Sequence, residues 1–411
     1  MLELRLGTTD LGHPQVPEKE GRQDSERQSR DWVASLKLPT FERAAVSRSA
    51  LTLRALCHRP TGGALAAATL GLPEWIGGLR NWDYRYVWLR DASMIVQTLL
   101  DLGSTVEADA YLNWLYDRFS STGHPENLHP LYTLSGGGSP AEAALEQLPG
   151  YAGSRPVRVG NAAQGQAQLD VFGAVCNLIA ARAAMRGSLT AEEHFMLDAS
   201  VAAVAQRWRE PDHGIWEIRD VPRHHTHSKM MCWLAVDRGI AALNLAGSAP
   251  DEWSKLRAEI ERDIQDNAWD PAVGAFVSAY EVRQIDAAVL QPLSYGFPAT
   301  KEQTAGTIAA VEATLRRGST VYRYRHRDGL PGDEGAMHIC AAWLIEAYVL
   351  TGQLEDAEEL FSAMLAAAGR TGLLSEQVDP RDLHGLGNHP QAYSHAGLIL
   401  AALALDRAVG R

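Results

Sequence analysis

The sequence predicts an all-α protein, and three observations carry that prediction. About a dozen Ala- and Leu-rich segments place their apolar residues at helical spacing. Strand-like alternation is scarce, with Phe276–Tyr280 and Val321–Arg325 as the best short candidates. The residues with chemistry to offer gather in Gly-, Pro- and aromatic-rich connections rather than in the helices.

Taken in order, residues 1–30 are polar and charged, include Pro14 and Pro17, and are expected to form a flexible arm. Helical periodicity begins near Asp31 and continues through Phe41–Cys57. Further helices are expected at Ala92–Leu102, Glu107–Arg118, Gln166–Arg186, Ala191–Arg209, Lys229–Ala246 and Glu252–Ala268. The remaining ones are Ala305–Leu315, Gly335–Leu350, Leu354–Ala368 and Gln391–Val409. Each helix with its connection takes roughly thirty residues, ordinary for a helical domain. No short-period repeat is visible, which disfavours a helical solenoid. An (α/α) barrel, with inner and outer helices alternating, would gather the rich connections at one end.

The bulk properties narrow the function. Apolar residues make up 46% of the chain, enough for a sizeable core. A formal net charge of −12 argues against a nucleic-acid partner, which needs a basic face. The four cysteines, Cys57, Cys176, Cys232 and Cys340, are far apart and sit among apolar neighbours, as buried thiols in a reducing compartment do. No apolar run follows a basic start and none is long enough to span a bilayer, so the expected setting is cytoplasmic, with no membrane partner.

The densest chemistry lies in Arg80–Asp91, which holds three arginines, two aspartates, two tyrosines and two tryptophans in twelve positions. Such a mixture suits a polyhydroxylated ring: indoles cover its apolar faces, and guanidinium and carboxylate groups grip its hydroxyls. A buried ion-pair network at a helix start is the competing reading, but burying so many charges without a polar ligand or full pairing is costly.

Two carboxylates stand out beyond this cluster. Glu217 follows Trp216 in the loop Gly214-Ile215-Trp216-Glu217, where a neighbouring indole raises a carboxyl pKa, as a general acid requires. Glu376 lies in a post-helix loop after Leu373-Leu374-Ser375 and is placed to act as a general base on water. At either position a plain loop carboxylate is the alternative. One acid and one base suffice to hydrolyse a glycoside, and room for a water between them corresponds to about 6.5–9.5 Å and inversion at the anomeric carbon.

Other chemistries find less support. His224-His225-Thr226-His227 lacks the helical spacing of a zinc hydrolase, and Asp328–Glu334 lacks the ligand order of a calcium loop. There is no phosphate-binding Gly-x-x-x-x-Gly-Lys-Ser/Thr run and no Gly-x-Ser-x-Gly elbow. No metal and no cofactor are expected.

These motifs together resemble the catalytic domain of glycoside hydrolase family 15, which includes glucoamylases, glucodextranases, isomaltose-hydrolysing enzymes and certain bacterial trehalases. The resemblance runs from about Asp31 to the C-terminus. It rests on Leu72–Gly78 leading into Arg80–Asp91, Pro156–Ala163 with Gln168-Leu169-Asp170, Gly214–Glu217 with Thr226–Lys229, Asp328–Gly335, and Leu374–Gln377. It implies an (α/α)6 barrel over residues 31–411, here without the β-sandwich domain that bacterial relatives usually carry in front. By resemblance Glu217 is the general acid, Glu376 the general base and Tyr84 the residue that orients the attacking water. Arg90, Asp91, Trp82, Trp216 and Arg323 are the expected contacts to the terminal glucose. The loop Leu128–Gly136 departs from the family pattern on the leaving-group side.

The expected activity is exo-acting, inverting hydrolysis of a small α-gluco-oligosaccharide or disaccharide, with isomaltose or a maltooligosaccharide placed first and trehalose as the alternative. A sugar-binding protein that has lost catalysis is the reading from another class. It leaves the retention of both Glu217 and Glu376 without a purpose.

Overall fold

A computed structural model describes residues 16–410 apart from Ala246 and Ser248. The chain forms an (α/α)6 barrel, as expected. The helices are α1 (Glu18–Ser35), α2 (Arg43–Leu56), α3 (Leu89–Asp101), α4 (Val106–Thr122), α5 (Val171–Arg186), α6 (Ala191–Arg207) and α7 (Thr226–Leu243). They continue with α8 (Asp251–Asn267), α9 (Leu290–Ser294), α10 (Lys301–Leu315), α11 (His338–Thr351), α12 (Leu354–Ala367) and α13 (Ala392–Ala408).

Neighbour relations close the inner ring. Helix α3 packs on α5, α5 on α7, α7 on α9, α9 on α11, α11 on α13, and α13 back on α3. The outer helices α2, α4, α6, α8, α10 and α12 each pack on one or two members of that ring. Sequence polarity sorts the two layers. Inner α3 is buried without interruption from Leu89 to Leu100, and α11 is apolar nearly all round, as a helix enclosed on every side must be. Outer α8 buries only Ile260 and Ile264 and gives the rest of its surface to charges. Close approach within the ring needs a small residue: a side chain at Gly173 would meet the Met231 carbonyl oxygen at 2.5 Å.

Several expected boundaries move, each for a physical reason. The arm expected to residue 30 is helical from Glu18, an exposed helix laced by Arg22–Glu18, Arg22–Glu26 and Arg30–Glu26 pairs four residues apart. The rest of the arm, residues 1–15, lies outside the described residues, as does Ala246 at the expected end of α7. Helix α5 starts at Val171 rather than Gln166, after a short 3-10 turn at Ala162–Gly165. Helix α10 starts early, at a Thr300/Gln303 capping box. Helix α11 starts at His338 because Ala336-Met337 pairs with Gln377-Val378 instead. The two expected strands are met only at their first residues, Phe276 and Val321, by the shorter and earlier pairs Ala275-Phe276 and Thr320-Val321.

Candidate active site

The site is built where the chain enters the inner helices. One cavity is lined by Tyr84, Trp88, Arg90, Asp91, Trp216, Glu217, Arg323, Glu376, Gln391 and Tyr393, among others. Arg90, Asp91 and Tyr393 stand in the first turns of α3 and α13, and Gln391 caps α13 by accepting from the Tyr393 and Ser394 amides. Seven of the eight residues singled out from the sequence therefore meet in one hollow, although they are spread over some three hundred positions.

Trp82 is the exception. It does not line the cavity. Its indole N–H donates to Glu74 Oε1 at 2.9 Å, and the guanidinium groups of Arg158 and Arg219 lie over its ring at 4.7 and 4.4 Å. The aromatic face toward the cavity belongs instead to Trp88, six residues on. The two tryptophans lie in different strands: Asn81–Asp83 pairs with Leu70–Pro73, whereas Val87-Trp88 pairs with Leu131-Tyr132 just before α3 begins.

Glu217 sits on irregular backbone between α6 and α7. Its φ of 59° is left-handed, a conformation that costs a non-glycine residue of order 1–3 kcal/mol and collects at functional sites. Its carboxylate accepts from the Trp88 indole N–H, and Gln166 Nε2 donates to its carbonyl at 3.1 Å. Burial lifts its pKa above the ordinary carboxylate range, against the opposing pull of Arg90 and Trp88. A carboxyl whose pKa is raised in this way is better matched to giving up a proton within the cavity. Beside it, Trp216 is fixed by donating from its indole nitrogen to both Asp286 oxygens at 2.9 Å.

Glu376 is held by a small sheet. Residues Ala336-Met337, Gln377-Val378 and Gly385-Leu386 pair in antiparallel order directly after it. Its own amide donates to Asn388 O at 3.1 Å, and its carbonyl accepts from the His338 amide at the start of α11. Tyr84 donates its hydroxyl to Glu376 Oε1 at 2.9 Å, while Oε2 is buried with no hydrogen-bond partner. Gly387 makes this possible: its φ is +72°, and a side chain there would come within 2.5 Å of Glu376 Oε2. Burial, then the charge of Glu74, pushes the Glu376 pKa well up, and Arg323 and the Tyr84 hydrogen bond oppose the rise.

Arg90 and Asp91 form a buried pair, Arg90 Nε to Asp91 Oδ1 at 2.9 Å, and Arg90 also reaches Gln168 at 3.1 Å and Asp170 at 3.3 Å. Arg323 pairs with Glu334 and lies over the Trp216 ring at 5.5 Å. Sequence reasoning missed Glu74, which is buried beneath the cavity. Its pKa is raised to about 7 by burial, with Arg323 opposing. Its signal was its place in Leu72-Pro73-Glu74-Trp75, an acidic residue between apolar ones. The loop histidines go elsewhere: His227 Nε2 is 2.8 Å from Gln291 Oε1, and His224 stacks on Tyr280.

A six-hairpin helical barrel that brings two carboxyls and a buried Arg–Asp pair into one hollow has counterparts among known proteins. Solved structures with this architecture include a protein described as a wild-type glycosidase, at TM-score 0.67 and 19% identity over 88% of this chain and 96% of that one. Another is the glucoamylase from Saccharomycopsis fibuligera, at TM-score 0.65 and 12% identity over 98% and 99%. At such identities the likeness is one of fold. The sequence pattern of glycosyl hydrolases family 15 matches residues 40–403, and the chain belongs to that family. Among curated proteins it is 36% identical over 384 residues to a trehalase from Thermoplasma volcanium, and 38% identical over 389 to a trehalase from Mycobacterium tuberculosis. Both alignments take in 92% of this chain but only 61% and 57% of those proteins, so the chain spans about three fifths of the length of the curated relatives it matches.

Proposed function

We propose that this protein hydrolyses an α-glucoside with inversion, and that the substrate is α,α-trehalose. The observation that carries the hydrolytic reading is the pair Glu217 and Glu376, two carboxyls on one cavity that Arg90 and Asp91 also line. The order of substrates expected from sequence is reversed here, because the similar curated proteins are named trehalases. In this reading Arg90 and Asp91 hold the hydroxyls of one glucose, and Trp88 and Trp216 flank it. A water hydrogen-bonded to Glu376 attacks the anomeric carbon and passes its proton to that carboxylate. Glu217 delivers its proton to the glycosidic oxygen as the bond to carbon breaks. Tyr84, bound to Glu376 Oε1, sets the orientation of the base and its water.

The test is anomer-resolved NMR at the first moments of reaction. Inverting hydrolysis of trehalose releases one β-glucose from the attacked ring and one α-glucose from the leaving ring, so equal amounts are expected before mutarotation. Two equivalents of α-glucose would sink the inverting mechanism. Cleavage of isomaltose or maltose with trehalose untouched would restore the oligosaccharide reading.

A further inference from the structure

We propose that Arg219 is a positioning residue for Glu217, holding the proton donor toward the glycosidic oxygen through a clamp made with Glu142 and Trp82. The inference rests on Glu217 being the general acid.

Arg219 stands two residues beyond Glu217, in a stretch between Arg207 and Thr226 that has no helix and only isolated bridges of its own. Its guanidinium grips Glu142 with both arms, Nη1 to Oε1 at 3.0 Å and Nη2 to Oε2 at 2.5 Å. Its plane lies over the Trp82 ring at 4.4 Å. Trp82 in turn cannot swing, because its indole N–H is tied to the buried Glu74 and its backbone carbonyl accepts from Asn388. Arg158 completes the clamp from a third loop. It lies over the same ring, comes within 3.5 Å of Glu142, and donates to Leu79 O at 2.7 Å. A forked pair stacked on a ring fixes direction as well as distance. An isolated surface ion pair contributes little, but this one joins three loops and is only 28% and 16% exposed at its two side chains.

The need for such a clamp lies in the backbone. Glu217 keeps a left-handed φ of 59°, and its side-chain direction depends on holding that turn. Within the loop the turn is supported by two backbone bonds, Glu217 N to Gly214 O at 3.2 Å and Ile218 N to His213 O at 3.1 Å. The clamp also explains why Trp82 and Arg158, both singled out from sequence motifs, are absent from the cavity wall.

The test compares two substrates. Trehalose needs its leaving oxygen protonated; α-glucosyl fluoride does not, since fluoride leaves as the anion. In Arg219→Met and in Glu142→Gln, kcat on trehalose should fall roughly tenfold or more, with α-glucosyl fluoride changed by less than about threefold. The double variant should be no worse than the poorer single one, as coupled partners behave. Equal losses on both substrates, or none on trehalose, would overturn the proposal. Amide exchange at Glu217 and Ile218 separates this proposal from the activity itself. Faster exchange in Arg219→Met is expected, and unchanged exchange overturns the clamp even if the wild-type protein cleaves neither substrate.

Discussion

The loops that carry the two glutamates are built on opposite plans. Glu376 is anchored by backbone: a three-stranded sheet follows it, the His338 amide donates to its carbonyl, and its own amide donates to the Asn388 carbonyl. Glu217 is anchored by side chains, through Trp88, Gln166 and the groups around Arg219, on a backbone turn that is itself strained. The contrast fits the proposed duties. A base that aims a water needs one fixed position, whereas an acid must follow the leaving oxygen as the bond opens. A backbone-held group is also hard to disturb from a distance, and a side-chain-held one is easy.

The largest effect expected is from removing either group. Glu217→Gln and Glu376→Gln should each lower turnover of trehalose by about 10²–10⁴-fold, the usual worth of general acid–base catalysis. The comparison sharpens with α-glucosyl fluoride as substrate: Glu217→Gln should recover most of its rate, and Glu376→Gln should not. Equal behaviour of the two variants on both substrates would erase the assigned difference in duty.

Next in size is Gly387→Ala, which attacks the backbone plan. A methyl group there meets Glu376 Oε2 at a distance no real contact shows, on a backbone of left-handed φ. A loss of stability on the order of 1 kcal/mol, seen as a lower melting temperature, is expected together with a fall in kcat. An unchanged kcat would mean that the base tolerates displacement. Tyr84→Phe removes one hydrogen bond from the same carboxylate, and we expect a loss of roughly tenfold in kcat, corresponding to about 1.4 kcal/mol.

The smallest effect is a shift in pH. In the proposed mechanism activity needs Glu376 ionised and Glu217 protonated, so rate is lost below the lower and above the higher of their two folded pKa values. Both are raised, by burial in each case, so the whole profile should sit above the ordinary carboxylate range. Glu74→Gln removes the largest charge acting against ionisation of Glu376, which lowers that pKa. The limb of kcat/KM that Glu376 sets should then move to lower pH while the other stays in place. A profile with both limbs unmoved would show that Glu74 does not act on Glu376.

Much of this was legible in the chain. Helical periodicity located the barrel's long helices, and the Arg90-Asp91, Trp216-Glu217 and Glu376 motifs named the cavity wall. The failures share one cause, which is that short-range pattern cannot report what a segment meets across space. Trp82 and Trp88 are equally aromatic in the sequence, and only strand pairing decides that Trp88 faces the hollow. Ala336-Met337 reads as helix, yet it pairs with a strand some forty residues on. The five-residue α9 is too short to leave a period, although it closes the ring between α7 and α11. Glu74 gave no sign of the company it keeps, because Arg323 and Glu376 arrive from the far end of the chain.

Ring closure has a consequence for biosynthesis. The barrel is completed when α13 docks against α2 and α3, and Asp406 then accepts from the amides of Thr40 and Phe41 at 2.9 and 3.0 Å. A nascent chain emerging from the ribosome holds every outer-and-inner pair but the last while its earliest apolar faces stay uncovered. The face of α2 that α13 covers gains its partner only after more than three hundred further residues have been translated.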